Sequence, residues 1–181
     1  MGRPKQLLRW PVDGGTKPLV AAAFDSIANV CSAMVVVLGH EAEAVIAALE
    51  DRKFHQLTSD PDAEMLASID TGLKAAQQID PDAAVLLHPG DHPAVERKTL
   101  VSLIRVAANH PECAIMPVYR GKGGHPVLIP ARLIDRILGY ERQGGLRQFW
   151  SENPTRCLRL VVSDASVVQD LDTPEDYESS K

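Results

Sequence analysis

The stretch Ala83–Val95, AAVLLHPGDHPAV, constrains the fold more than any other part of the chain. Ala83 to Leu87 is a short, continuous apolar run after the turn pair Asp80-Pro81, the pattern of a strand buried on both faces. Glu96 to Ala108 then has helical spacing. Strand, loop and helix in that order make an α/β unit. In open α/β sheets ligands gather where such loops leave the carboxyl ends of the strands, so Asp91 stands where a metal or phosphate would bind. Gly90 beside it permits close approach of the backbone. On local sequence alone, Pro89-Gly90-Asp91 also fits a plain turn.

The same unit recurs before this stretch. Gln6 to Trp10 lead into a turn at Pro11-Val12-Asp13-Gly14-Gly15. A helix follows, with Pro18 near its first turn and Leu19, Ala22, Ala23, Ile27 and Val30 along one side. Ala33–Leu38 reads as a buried strand, 41–50 as a helix and His55–Thr58 as a short strand. Leu66, Ile69, Leu73 and Ala76 step by three and four, as on a helix laying one stripe on a sheet. The alternation predicts a mostly parallel sheet covered by helices on both faces. Beyond residue 108 the rhythm changes. Cys113–Val118 and His125–Ile129 read as strands around a flexible basic loop, Arg120-Gly121-Lys122-Gly123-Gly124. Helices are expected over 131–138 and 145–150, and a strand over 158–162. Thr173, Pro174 and Asp176 form a helix-start signature near the carboxyl end. With 181 residues, no repeats and no linker, the chain is expected to be one domain, 1–181.

Charge narrows the partners. Nineteen Lys plus Arg against 24 Asp plus Glu leave a net charge of −5, which removes the electrostatic footprint of a nucleic-acid binder. No apolar run approaches membrane-spanning length, and the charged start lacks the apolar core of a signal peptide, so no membrane partner is expected and the reading is cytoplasmic. Cys31, Cys113 and Cys157 are far apart and in apolar surroundings, which predicts reduced, buried thiols.

Three separated pieces carry chemistry together: Lys5 in a Pro-Lys-Gln-Leu-Leu context, Asp91 after the buried strand, and Asp170 with Asp172 before a capped helix. A lysine and two carboxylates suit phosphoryl or nucleotidyl transfer, where oxygen-held Mg²⁺ and a fixed ammonium offset phosphate charge. Each piece has a plainer reading. Lys5 could be a solvated lysine, and acids near Pro174 favour the positive end of a helix.

Five ordered motifs bring the pieces together: Met1-Gly2-Arg3-Pro4-Lys5-Gln6-Leu7-Leu8; Met65-Leu66-Ala67-Ser68-Ile69 with Gly72-Leu73; Gly90-Asp91-His92-Pro93; Gly123-Gly124-His125-Pro126-Val127; and Asp170-Leu171-Asp172-Thr173-Pro174-Glu175-Asp176. In this order they resemble the MobA-like nucleotidyltransferases, and Gly-His-Pro-Val most resembles the molybdenum cofactor cytidylyltransferases within that group. The resemblance implies a Rossmann-like, three-layer nucleotidyltransferase fold. It also implies Mg²⁺, a nucleoside triphosphate, CTP foremost, and a phosphorylated acceptor such as molybdopterin, with release of pyrophosphate. Lys5 matches the lysine at the phosphates, Asp91 the metal-binding aspartate, and Asp172, or else Asp170, a second metal-side carboxylate. Met65, Leu66 and Ser68 match the segment against the base; Gly124 and His125, with Arg120 and Lys122 in the adjoining loop, match the side of the acceptor. For Ser68 a hydroxyl facing solvent or the preceding turn is the plainer reading, for His125 a packed strand residue, and for Arg120 and Lys122 a solvated loop.

Two departures from the family pattern stand out. The family places a buried strand and a glycine-rich phosphate loop immediately before a Met-Gly-x-Pro-Lys like the one that opens this sequence, and the expectation is that the natural protein begins upstream of Met1. His88-Pro89-Gly90-Asp91-His92-Pro93 also differs from the commoner Gly-Asp-Gln/Met-Pro form, which bears on the acceptor. Two other functions keep the same fold: a catalytically inactive binding or maturation partner, and a transferase acting on a sugar or alcohol phosphate.

Overall fold

The structure, a computed structural model, describes residues 5–62, 65–140 and 145–169. It is an α/β fold whose largest sheet, of five strands, is mixed. The first strands, β1 (Arg9–Val12) and β2 (Gly15–Pro18), form an antiparallel hairpin where a simple turn was expected. Asp13-Gly14 supplies the tight connection, Gly14 taking φ +83. Pro11 is tolerated because the ribbon has only these two strands. Pro18 caps α1 (Leu19–Ala28) from outside. β3 (Val35–Leu38), α2 (Ala42–Ala48) and β4 (His55–Thr58) follow, and β3 pairs with β4 in parallel.

The second sheet holds β5 (Val85–Leu87), β6 (Ala114–Tyr119), β7 (Lys122–Gly123), β8 (Val127–Ile129) and β9 (Cys157–Val161). β8 lies antiparallel between β5 and β6, and β9 runs parallel to β6 on its other side. β5, β6 and β9 therefore share one direction. The expected flexible loop at 120–124 is instead a tight turn, with Arg120 at φ +47 and Gly121 at φ +82, that returns the chain along β6 as β7. β7 and β8 are one strand interrupted by a bulge. Given Val118 opposite Gly123, an unbroken ladder would put Pro126 opposite Ile115, but Leu128 is there, two residues later.

Among the described residues, β3 and β5 share no ladder. β5 is accordingly only half-buried, where full burial on both faces was expected. α3 (Met65–Ile79) spans the two groups, packing on both β3 and β5. On this side Leu73, with Leu133, Ile134 and Ile137 of α5 (Ala131–Leu138) and Phe149 of α6 (Gly145–Glu152), covers Ala114, Val127 and Ile129. On the other side Leu103 of α4 (Arg97–Asn109) covers Ile115 and Leu128. Val20, Ala21 and Phe24 of α1 pack with Leu38, Val45 and Leu49 in the amino-terminal half. Burial of these apolar side chains, each worth about 1.5–3 kcal/mol against exposure, is the main force fixing the layers.

The three cysteines are free thiols of intermediate exposure rather than buried, because each lies at the edge of an element: after α1, before β6, and first in β9. No helix among the described residues is long and apolar enough to cross a membrane.

Candidate active site

Asp91 lies in the loop that leaves the carboxyl end of β5 and leads to α4. Lys5 opens a single 3-10 turn, Lys5–Leu7, whose Leu7 side chain packs with the α1–α2 cluster. The backbone then anchors to α1 through Leu19 N donating to Leu8 O at 2.8 Å. This brings Lys5 Nζ to 2.7 Å from Asp91 Oδ2, with the two side chains 29% and 19% exposed. A lysine and an aspartate 86 positions apart in sequence thus form one half-buried ion pair at a strand end.

A cluster of three histidines adjoins the carboxylate through His92. His92, 7% exposed, has Nε2 3.9 Å from Asp91 Oδ1. Its ring lies edge-on to those of His88 and His125, with centroids 6.1 and 5.3 Å away. His88 donates from Nε2 to His92 O at 2.9 Å, which leaves His88 Nδ1 as the acceptor nitrogen of a neutral ring. His88 Nδ1 and His125 Nδ1 are buried without a protein hydrogen-bond partner. Burial first, and then the neighbouring His92, pushes the His88 pKa down to about 3, and the same two causes lower that of His125. His88 and His125 are therefore neutral near pH 7, on either side of His92.

The β7–β8 bulge explains Gly124-His125. Gly124 N keeps the ladder by donating to Pro117 O, whereas His125 N turns away to donate to Val167 O at 2.7 Å. A Cβ on Gly124 would lie 2.1 Å from Val167 O, so only glycine fits. Arg120 sits over the Tyr119 ring, 5.3 Å from its centroid, and Lys122 is exposed in β7. Both belong to the far end of the hairpin. Met65 is 77% exposed at the start of α3, Leu66 is half-buried, and Ser68 shares a 2.7 Å hydrogen bond with the Ser59 hydroxyl. The Ser68 hydroxyl thus ties α3 to the turn after β4. Asp170 and Asp172 lie outside the described residues.

Sequence reasoning passed over Asp164. This carboxylate, 2% exposed, accepts from Glu96 N at 2.9 Å and the Thr99 hydroxyl at 2.8 Å through one oxygen. Through the other it accepts from Ser166 N and the Ser166 hydroxyl. Asp164-Ala165-Ser166 carries a weak signal for the local half of this arrangement, an Asx-type turn. Nothing in it points to residues 96 and 99.

The sequence pattern of the MobA-like NTP transferase domain matches residues 1–157. The chain belongs to the MobA-like NTP transferase family. It is 22% identical to the molybdenum cofactor cytidylyltransferase of Escherichia coli (strain K12) over 183 aligned residues, covering 100% of this chain and 88% of the relative. The fold resembles that of Rv0371c from Mycobacterium tuberculosis H37Rv with a TM-score of 0.81 at 24% identity, over 99% of this chain and 89% of that one. A second structure of Rv0371c is a complex with manganese, with a TM-score of 0.76, 24% identity, and 98% and 90% of the two chains covered. A nucleotidyl transferase from Methanothermobacter thermautotroptrophicus aligns with a TM-score of 0.74 at 24% identity, over 97% of this chain and 82% of that one. The family is thus one of nucleotidyltransferases, and the Rossmann-like architecture expected from the motifs is the one these relatives share.

The carboxylate of Asp91 is an oxygen donor of the type a divalent cation takes. Among the described residues no group of three His, Cys, Asp or Glu side chains could hold a metal ion. Asp91 offers one partly exposed carboxylate.

Proposed function

We propose that this member of the MobA-like family transfers a cytidylyl group from CTP to a phosphorylated acceptor of the molybdopterin type and releases pyrophosphate. The observation that carries the reading is the Lys5–Asp91 pair at the exit of β5, in a chain whose relative in Escherichia coli is a molybdenum cofactor cytidylyltransferase. In this reading Asp91 holds Mg²⁺ together with Asp172 or Asp170. The bound cation supplies charge neutralisation at the phosphates. Lys5 binds the β- and γ-phosphates and steadies the leaving side. Met65, Leu66 and Ser68 lie toward the nucleotide, and the exposure of Met65 suits contact with a base. Gly124 and His125 face the acceptor, and Arg120 and Lys122 attract its charge.

The chemical step needs no covalent enzyme intermediate. An acceptor phosphate oxygen attacks the α-phosphorus, a new P–O bond forms, and the bond to the bridging oxygen breaks as pyrophosphate departs. Catalysis is therefore positioning and charge stabilisation.

Pyrophosphate release tests the reading directly, with CTP, GTP, ATP and UTP each offered alongside Mg²⁺ and a panel of molybdopterin, sugar phosphates and alcohol phosphates. Turnover with CTP and the pterin acceptor is expected, and Asp91→Asn should abolish it. Calorimetry that finds no metal-dependent heat with any nucleotide would replace the reading with that of a non-catalytic binding partner.

A further inference from the structure

The start of α4 has no cap of its own: Glu96 stands at the N-cap position and makes no side-chain capping bond. The acceptor comes instead from residue 164, 68 positions away, whose Oδ2 takes both the Glu96 N–H and the Thr99 hydroxyl. A negative group at the first turn is favoured there by the helix dipole. Among the described residues no cation hydrogen-bonds this buried carboxylate. All four of its donors are backbone amides or hydroxyls. A buried charge held this way is weak support for stability but fixes geometry tightly.

We infer that Asp164 is a positioning residue, a cap supplied from a distant part of the same chain that locks the loop carrying Asp91 to the turn behind His125. On one side, Glu96 is five residues from Asp91, and the intervening His92, Pro93 and Val95 are all buried, so a shift of the α4 start is passed to Asp91. On the other side, Ser166 is held by Oδ1, and the next residue, Val167, is fully buried and accepts the bond from His125 N. One carboxylate thereby registers the metal-side loop against the acceptor-side bulge.

The functional consequence rests on the reading of Asp91 as a metal-side carboxylate. The test uses the full chain and the variants Thr99→Val, Thr99→Ser and Asp164→Asn. Mn²⁺ affinity in the presence of CTP is read by electron paramagnetic resonance, alongside hydrogen exchange of residues 88–99 and 164–169. Thr99→Val and Asp164→Asn should release protection in both segments together and weaken Mn²⁺ binding about tenfold, the size of one lost hydrogen bond to a charged group. Thr99→Ser should restore both. If Asp164→Asn fails to fold, Thr99→Val alone decides. A lowered melting temperature with Mn²⁺ affinity unchanged, or loss of protection confined to one segment, would reduce Asp164 to a stabilising contact and overturn the inference. Asp91→Asn separates the two readings. If that variant binds Mn²⁺ like the parent, the assignment of Asp91 falls, and the coupling is then decided by the exchange data, upheld if both segments open together.

Discussion

Lys5 Nζ sits 2.7 Å from Asp91 Oδ2, so the ammonium and the carboxylate proposed for opposite sides of a polyphosphate hold each other in place before any ligand arrives. The pair is preorganised: neither group has to be drawn in from solvent. In the roles proposed for them, the carboxylate turns to the cation and the ammonium to the phosphates when a nucleotide binds.

Replacing Asp91 with Asn keeps the shape and removes the charge. Turnover should fall by at least about a hundredfold, the scale of losing one electrostatic stabiliser of a transition state. The melting temperature should change little. Pyrophosphate release and differential scanning fluorimetry on the same preparation check both halves.

Lys5→Met separates stability from catalysis. The pair is partly exposed, so its loss should cost less than about 1 kcal/mol of folding free energy. The value of kcat/KM should drop far more than this, because the ammonium is no longer available to the phosphates. A double-mutant cycle with Asp91→Asn, read by denaturant titration and by kinetics, should give weak coupling in the first and strong coupling in the second.

Gly124→Ala puts a methyl group 2.1 Å from the Val167 carbonyl oxygen. Backbone is the obstacle, so no side-chain rotamer relieves the contact. We expect a loss of about 1–3 kcal/mol in urea denaturation, as for overpacking elsewhere. The His125–Val167 bond should weaken with it, visible as faster exchange of the His125 amide.

Acid should loosen the fold through His88. Burial holds its pKa at about 3, against an ordinary 6.5. The unfolded chain therefore binds a proton below pH 6.5 that the native state refuses until about pH 3. Stability from this group is complete above pH 6.5 and falls as the pH drops toward 3, by up to about 1.4 kcal/mol per pH unit. Denaturant midpoints from about pH 7.5 to 4.5 measure the slope, and His88→Gln should flatten it. An unchanged slope in that variant would assign the acid sensitivity elsewhere.

The α/β alternation was legible because hydrophobic periodicity is local: β4 was read at His55–Thr58 and α5 at 131–138 with the bounds the structure shows. The hairpin at Arg9–Pro18 was missed because Pro11 to Gly15 was read as one turn, whereas Pro11 and Val12 belong to β1 and Gly15 opens β2. At the site, Lys5 and Asp91 were singled out by type, order and resemblance, and the fold brings them together. The role of Ser68 in tying α3 to Ser59, and that of Asp164 in capping α4, depend on partners 9 and up to 68 residues away. No spacing rule reaches those. The half-burial of β5 was also unreadable, since an apolar run reports what a strand prefers and not what lies beside it.

The unshared edges of β3 and β5 have a mechanical consequence for the Lys5–Asp91 pair. Lys5 is anchored to the α1 side of the molecule, and Asp91 hangs from the β5 side. Their contact therefore crosses a seam bridged by α3 and by the packing of α1 against α4, with no strand ladder along it. Among the described residues the two halves are therefore held by helix packing and by this ion pair, not by backbone hydrogen bonds between strands.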